Sequence, residues 1–267
     1  MVARAAVGLL VAAIVATLAR ATRSLSRGGA VAATGLGTIS AAAGYPWAIL
    51  LIAYFVASTA LSRFGAAEKE RLTGSIVAKG GQRDARQVLA NGGVFGVAVL
   101  GMLIQPGLWW TALGAGALAA SAADTWATEI GTRFGGLPRS ILSGRPVPVG
   151  TSGGVSVIGS LGALAGALFV AAVSIAIGWT RLAGLSALVG GVVGALADSL
   201  IGATVQARRW CDACGVATER VRHNCGSPTR VAGGVGGLDN DMVNLFSGIL
   251  GGMASTAVFM ALFARSG

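Results

Sequence analysis

The sequence predicts an all-α, polytopic membrane protein. Of its 267 residues 54% are hydrophobic and 11% are charged, whereas soluble proteins carry roughly 25% charged residues. The mean hydropathy is +0.74, and the apolar residues form long runs between short polar segments. The 43 glycines lie mostly inside these runs, as expected where helices pack closely in a bilayer. The length favours one membrane domain over residues 1–267.

Eight apolar runs are interpreted as membrane spans, because each approaches the length of about 20 residues that a helix needs to cross the bilayer. Some runs are short, so we expect about seven or eight transmembrane helices. We expect the first run to be retained and not removed as a signal peptide, since its loss would leave the other spans unexplained. The runs cover 3–19, 28–44, 46–62, 88–104, 108–128, 154–177, 183–205 and 241–263.

The charges predict how these spans are oriented. The basic residues gather in the longer connections and at their helix ends, and three of these connections cover about 63–87, 129–153 and 206–240. Basic connections face the cytoplasm, so we expect a multi-pass protein of the cell membrane with both termini outside. All ten acidic residues fall near the inner face, which favours a cytoplasmic active site over a transport pathway. The basic residues lack an aromatic platform, so no nucleic-acid partner is expected.

Carboxylates near apolar runs are the main functional signal, since one at a helix centre costs about 2.5–3.5 kcal/mol. Asp124 and Thr128 share one helical face, and Thr125 and Glu129 share the adjoining face. Together they offer the oxygen ligands that Mg²⁺ prefers. For Glu129 a solvated helix end is the alternative.

Two later segments extend this set of acids. Asp198 lies about two helical turns inside its span, on one stripe with Gly202 and Gln206. The last span begins with four polar residues, which we expect to bind metal or substrate. Helix capping is the alternative for the first two of them, but it does not explain a polar residue inside the span. The four are Asp239, Asn240, Asp241 and Asn244.

Two segments are typical of anion binding. Arg83, Gln87 and Asn91 share one helical face, with Arg86 beside them, and arginine binds phosphate in a bidentate manner. A basic helix end is the alternative. The second segment is a Gly/Ser turn before the sixth span, where backbone N–H groups at a helix start can hold an anion, or where the residues only cap the helix. Its candidate residues are Thr151, Ser152, Gly153, Gly154 and Ser156.

All three cysteines and the only histidine lie within one connection, at Cys211, Cys214, His223 and Cys225. A CxxC pair with a nearby Cys and His is the ligand set of a structural Cys₃His zinc site. Free thiols and a disulfide are the alternatives, and a reducing compartment disfavours the disulfide.

An acid followed by a hydroxyl residue ends a span twice, at Asp124-Thr125 and at Asp198-Ser199. Each is followed by a connection and a Gly-rich helix start. This regularity indicates a possible internal repeat enclosing one site.

At these motifs the chain resembles the integral membrane family that includes plant phytyl-phosphate kinase and transmembrane protein nineteen. The matching segments are GGQRDARQVLANGG, ADTWATEIG, PVGTSGGVSVIG, GALADSLIGATVQ, CDACG with HNCG, and GLDNDMVNLFSG, all between residues 80 and 248. The resemblance implies phosphoryl transfer from a nucleoside triphosphate, CTP in the first instance, to an isoprenyl monophosphate.

The implied reaction assigns a role to each group of polar residues. Phosphoryl transfer needs mainly positioning and charge neutralisation by Mg²⁺ and cationic groups. We expect Asp124, Asp198 and Asp241 to bind the metal, with Glu129 and Asp239 as alternatives. The phosphates would be held by Arg83, Arg86 and the turn from Thr151 to Ser156, and the orienting amides would be Gln87, Asn91 and Asn244. Two other functions remain open: CTP-dependent cytidylyl transfer to a lipid phosphate, and transport of a cation or small molecule.

Overall fold

The computed structural model describes residues 1–74, 76–78 and 81–265. Gly80, the first residue of the first matching segment, lies outside them. The helices in this part of the chain are α1 (Val2–Ala21), α2 (Arg27–Ala43), α3 (Tyr45–Arg63), α4 (Ala66–Thr73), α5 (Ala85–Ile104), α6 (Trp109–Phe134), α7 (Val157–Ala176), α8 (Arg181–Thr204) and α9 (Asn240–Phe263). The strands are β1 (Arg139–Ser140), β2 (Gly154–Val155), β3 (Arg208–Cys211), β4 (Val216–Thr218) and β5 (Arg230–Gly233).

The predicted class, a polytopic helical membrane protein, is confirmed. All eight predicted spans are helical, and the largest difference is α6, which continues to Phe134. Six of these helices are long and apolar enough to cross a membrane by length and composition, fewer than the seven or eight predicted. The other two are α2, with 17 residues, and α6, which is rich in alanine and glycine.

Side chains at the helix starts explain where several helices begin. The Asp84 carboxylate accepts a hydrogen bond from the Gln87 backbone N–H, and the Gln87 side chain accepts one from the Asp84 N–H. This reciprocal pair is a capping box. Single side-chain caps begin α2, α7, α8 and α9, at Ser26, Ser156, Thr180 and Asp239.

Helix α6 occupies the centre of the bundle and packs against α3, α5, α7, α8 and α9. Almost every residue from Thr111 to Ala123 is buried. Since protein and not lipid surrounds this helix, small residues suit it better than large apolar ones. Gly116 of α6, Gly190 of α8 and Gly251 of α9 meet where the three backbones approach each other.

The longer connections meet at one end of the bundle. The segment after α1 joins the segment before α5 through a bridge between Leu25 and Arg83. The connection after α6 reaches the end of α8, where Ser152 donates a hydrogen bond to Gln206 over 2.7 Å. The connection after α8 reaches the segment after α4, where the Glu219 N–H donates to the Ile76 carbonyl over 2.7 Å. The side of the membrane that this end faces stays a prediction.

Four of the five named strands lie in segments that the sequence predicted as loops, whereas β2 takes the first two residues of the predicted span 154–177, so that α7 begins only at Val157. Strands β1 and β2 form an antiparallel pair, and the connection after α8 contains an antiparallel sheet in the order β4-β3-β5. These strands have two to four residues. They are too short to show the alternation of apolar and polar residues by which a strand is predicted.

Candidate functional site

Two acids from apolar runs meet between α6 and α8. The carboxyl groups of Asp124 and Asp198 lie within hydrogen-bonding distance of each other, and Asp198 is also within reach of Ser247 on α9. Among the described residues, Oδ2 of Asp198 is buried without a hydrogen-bond partner. Two neighbouring carboxylates repel each other unless a cation or a proton lies between them. This pair is therefore a candidate cation site.

Tyr54 of α3 is a neighbour of the acid pair that the sequence analysis missed. Its hydroxyl lies within hydrogen-bonding reach of Thr125 and Ser121, close to Asp124 and Arg83, and the residue is buried. Buried tyrosine hydroxyls usually have a hydrogen-bond partner. A lone tyrosine inside an apolar run was the available signal.

Two asparagines flank the same region. The side-chain amide of Asn91 on α5 donates a hydrogen bond to the Gln87 backbone carbonyl over 2.9 Å. The backbone carbonyl of Asn91 accepts one from the Ser121 hydroxyl over 2.9 Å. Asn244 of α9 is buried one turn before Ser247, and its Oδ1 has no hydrogen-bond partner among the described residues. An unpartnered amide oxygen is costly when buried. It can accept a hydrogen bond from a ligand or coordinate a metal ion.

An apolar groove leads to these polar residues. It has a volume of about 280 Å³ and lies between α1, α2, α3 and α5. Its polar lining includes Tyr54, Arg83, Gln87 and Asn91, of which Arg83 and Gln87 lie at the start of α5, next to a long connection. The apolar lining continues along α3 as far as Tyr45, and nine residues of α helix span roughly 13 Å. The groove therefore joins an apolar channel to a polar end.

The Arg83 guanidinium contacts hydroxyl groups of α3. It lies 3.5 Å from the Thr59 hydroxyl and 3.4 Å from the Ser62 hydroxyl. Within the described part of the chain it forms no ion pair with a carboxylate. A guanidinium that is not paired with a carboxylate can bind an anion.

Lys69 of α4 was also missed by the sequence analysis. Its ammonium group pairs with Glu129 of α6 over 2.6 Å, and the Glu129 side chain is only 8% exposed. Lys69 and Glu129 both lie near enough to Asp124 to act on its charge. Glu129, a predicted metal ligand, thus has a basic partner. The sequence could not reveal Lys69 because it lies in a charged segment that resembles an ordinary surface helix.

The remaining predicted metal ligands lie beside Arg86. Its guanidinium is 3.0 Å from an oxygen of Asp239 and 3.9 Å from one of Asp241. Asp239 also caps α9 through the Met242 N–H over 3.2 Å, as the capping alternative predicted. The structure therefore divides the five predicted ligands: Asp124 and Asp198 face each other, while the other three each contact a basic residue.

The turn from Thr151 to Ser156 packs against the end of α8, and its polar groups bond within the turn, to α7 and to Gln206. Ser156 caps α7 through the Gly159 N–H over 3.1 Å. The N–H of Gly154 donates to the Thr151 carbonyl over 3.0 Å. The Ser152 hydroxyl binds Gln206, whose amide in turn donates to Glu219 over 2.7 Å. Capping explains Ser156, and Gly153 lies against Ala203. Of the other predicted residues, Thr128 and Asn240 are exposed.

Glu219 has an unusual environment for a connecting segment. The pKa of this carboxyl group is raised from 4.5 to about 7, mainly by burial and to a smaller extent by the charge of Asp239. Hydrogen bonds from the Ala78 backbone and the Gln206 side chain oppose this shift. The protonated acid is therefore favoured in the folded protein over a wider pH range than in the unfolded chain.

This shift predicts a pH-dependent stability. The pKa of Glu219 is higher in the folded state, so its contribution is present below about pH 4.5 and is lost as the pH rises through about 7. One pKa unit corresponds to about 1.4 kcal/mol, enough to change thermal unfolding in detergent. We expect Glu219→Gln to flatten the loss of stability between these pH values. The control is Glu68→Gln on exposed α4, and equal slopes for wild type and Glu219→Gln would contradict the prediction.

The four predicted zinc ligands come together outside the helical bundle. The ligand atoms of Cys211, Cys214, His223 and Cys225 all lie within 4.8 Å of one another. The sulfur atoms of Cys211 and Cys225 are 3.7 Å apart, and Nδ1 of His223 is 3.3 Å from the Cys225 sulfur. The cysteines are not joined as disulfides, and Nε2 of His223 is buried without a partner among the described residues.

Known proteins are similar to this chain along most of its length. Protein PGR of Arabidopsis thaliana is 30% identical over 284 aligned residues, which cover 96% of this chain and 96% of that protein. An uncharacterised membrane protein of Methanocaldococcus jannaschii is 25% identical over 96% of this chain and 94% of its own. One from Synechocystis is 31% identical over 64% of this chain and 67% of its own. No solved structure matches.

The family assignment rests on a match along most of the chain. The model of the integral membrane protein family DUF92 matches residues 10–252, which include the acid pair, the cysteine cluster and most of the residues that line the groove. The family resemblance drawn from the motifs is confirmed, whereas the reaction stays a prediction. The chain belongs to the DUF92 family of integral membrane proteins.

Proposed function

We propose that this protein is a membrane phosphotransferase that uses a nucleoside triphosphate, CTP in the first instance, to convert an isoprenyl monophosphate into the diphosphate. One observation carries the proposal. Asp124 and Asp198 face each other inside the helical bundle, and an oxygen of Asp198 has no hydrogen-bond partner among the described residues. Buried acids of this kind are costly in a membrane protein and are typically functional.

The acid pair fits a magnesium ion. Mg²⁺ prefers oxygen ligands and is usually held by one or two carboxylates together with substrate phosphates. Asp124 and Asp198 supply the carboxylates, and Asn244 supplies a further unpartnered oxygen nearby on α9. When bound, the metal would neutralise charge on the phosphates. A cation also relieves the repulsion between the two acids.

The groove supports a lipid substrate with a polar head. Its lining is mainly aliphatic along α1, α2 and α3, and Tyr54 joins it to the neighbourhood of Asp124. An isoprenyl tail would lie in the groove, with its phosphate beside Arg83 and Gln87. The long connections and this polar end lie at the same end of the bundle, so water-soluble nucleotide would enter there. We infer that the protein lies in the cell membrane and that this end faces the cytoplasm, as the basic connections predict.

The reaction needs little covalent chemistry from the protein. An oxygen of the lipid phosphate attacks the γ-phosphorus of the nucleotide, and the bond from that phosphorus to the bridging β-phosphate oxygen breaks. The leaving nucleoside diphosphate keeps the bonding electrons. A phosphate monoester is already an anion, so no general base is required, and positioning dominates catalysis. Arg83 would hold the lipid phosphate, Arg86 the nucleotide, and Lys69 would orient Glu129 beside the acid pair.

Loss of the Arg83 side chain is expected to weaken lipid binding. A hydrogen bond to a charged group contributes about 1.5–3 kcal/mol, so Arg83→Ala should raise the KM for the isoprenyl phosphate about tenfold to a hundredfold. The KM for CTP should change much less. The matched control is Arg27→Ala, an exposed arginine at the start of α2. An unchanged lipid KM in the Arg83 variant would contradict the assignment.

The function itself is tested with purified protein in detergent, Mg²⁺, CTP and geranylgeranyl or phytyl phosphate. The proposal expects CDP and the isoprenyl diphosphate in equal amounts. Release of pyrophosphate would instead identify cytidylyl transfer. Uptake of a cation or small molecule into vesicles without CTP, together with no turnover, would identify a transporter and overturn the proposal.

A further inference from the structure

We propose that Cys211, Cys214, His223 and Cys225 bind a structural Zn²⁺ ion, and that the zinc-bound segment fixes the position of α4, whose Lys69 pairs with Glu129 near the acid pair. This inference goes beyond phosphate transfer, and its test does not depend on activity. It rests on the size of the ligand cluster and on the contacts made by the residues between the ligands.

Two separations in the cluster match those of a tetrahedral zinc site, and all four ligand atoms lie within 4.8 Å of one another. Zinc lies about 2.3 Å from sulfur and about 2.0–2.1 Å from nitrogen, so two sulfur ligands are separated by about 3.8 Å and a sulfur and a nitrogen by about 3.5 Å. The observed distances are 3.7 Å between Cys211 and Cys225 and 3.3 Å between Cys225 and Nδ1 of His223. A disulfide would bring the sulfurs to about 2.05 Å. The spacing therefore favours a shared ion.

The ligands also come from separate parts of a small sheet. Cys211 ends β3, Cys214 lies in the turn before β4, and His223 and Cys225 lie between β4 and β5. A single ion would join the β3–β4 hairpin to the segment before β5. A unit of this size buries little apolar surface, so a metal contributes directly to its folding.

Residues beside and between the ligands hold the C-terminal end of α4. Arg220 donates from Nε to the Gly74 carbonyl over 3.0 Å, and Asn224, between two ligands, donates to the same oxygen over 3.2 Å. The Glu219 N–H donates to the Ile76 carbonyl over 2.7 Å. Carbonyl groups at a helix end lack partners within the helix, and basic side chains there are favourable. The segment therefore supplies hydrogen-bond donors to the backbone carbonyl groups at and just after the end of α4.

The other contacts of α4 connect it to α6, the helix that carries Asp124 of the acid pair. Lys69 binds Glu129 over 2.6 Å, and Phe64, just before α4, lies under the Arg133 guanidinium at 4.1 Å. With its C-terminal end held by the zinc-bound segment, α4 is anchored at both ends. Loss of the ion would free Arg220 and Asn224 and loosen the Lys69 contact.

The experiment first measures metal content. Protein purified without chelator should contain about one zinc per chain, and Cys214→Ser should reduce this at least about tenfold. The control Asp212→Asn changes an exposed residue between two ligands and should keep the zinc. Co²⁺ added to metal-free protein should give the absorption of a tetrahedral thiolate site. His223→Cys should retain Co²⁺ with a shifted spectrum. No zinc and no Co²⁺ spectrum, or a disulfide found by mass spectrometry, would overturn the site.

The second measurement is hydrogen exchange, with and without a chelator. Removal of zinc should make the backbone amides of α4 exchange several-fold faster while those of α7 stay unchanged. Bound zinc with unchanged exchange in α4 would overturn the positioning role. Neither readout depends on turnover, so failure of the proposed reaction would not imitate either result.

Discussion

Asp198→Asn is expected to abolish phosphate transfer while leaving the fold intact. The substitution keeps the size of the side chain but removes one of two facing carboxylates. Mutating outer-shell partners of a metal site costs about 10–100-fold, so loss of a direct ligand should lower turnover by about 100-fold or more. Steady-state assays with varied Mg²⁺ would measure both the rate and the metal dependence.

The stability of this variant separates a functional role from a structural one. Asp198 lies beside Asp124 without a cation in the metal-free protein, and like charges at this distance repel each other. Removing one charge should therefore leave thermal stability in detergent unchanged or raise it. The control is Asp212→Asn, an exposed aspartate paired with Arg230. Wild-type turnover in Asp198→Asn would refute the assigned metal site, and unfolding of the variant would indicate a structural role.

Gly190→Ala is expected to destabilise the helical bundle. A Cβ at this position would overlap the Gly251 carbonyl oxygen, and it would lie 2.9 Å from the Ser255 Cβ and 3.1 Å from the Gly116 Cα. These neighbours belong largely to backbone, so α6, α8 and α9 would have to separate. Overpacking of this kind costs typically about 1–3 kcal/mol. Thermal unfolding in detergent and the yield of monodisperse protein would measure it.

The matched control is Gly35→Ala on α2, where no atom lies within 4 Å of an added Cβ. Replacement of a helical glycine by alanine there should be neutral or stabilising by up to about 1 kcal/mol. If the two variants unfold at the same temperature, the close approach at Gly190 does not determine stability. Because Asp124 and Asp198 lie on two of the separated helices, Gly190→Ala should also lower turnover of the protein that remains folded.

Much of the helical framework could be predicted because each element leaves a local signal. Apolar runs of nearly 20 residues mark the long helices, and capping residues such as Asp84 and Asp239 mark where two of them begin. Helix α4 was missed because four of its eight residues are charged and it shows no apolar face. The short strands were missed because two to four residues are too few to show the alternation of apolar and polar residues that indicates a strand.

The candidate site was predictable only in part, because a local signal marks a residue but does not reveal its contacts. Asp124, Asp198 and Asn244 were recognised because a polar group inside an apolar run is costly wherever the chain folds. Their contacts were not predictable. Glu129 pairs with Lys69 over 2.6 Å, and Asp239 pairs with Arg86 over 3.0 Å, so two expected metal ligands have basic partners. Tyr54 gave too weak a signal, since an aromatic residue in a span is usually a packing residue.

The sequence by itself determined the class of protein, the positions of the long helices, the costly acids and the zinc-type ligand pattern. These follow from composition and from local spacing. Only the tertiary structure decided which helices are neighbours, and therefore that the acids of α6 and α8 meet beside a groove formed by α1, α2, α3 and α5. The physical reason is that small residues allow helices to pack closely in a bilayer, and the 43 glycines offer such surfaces on almost every helix.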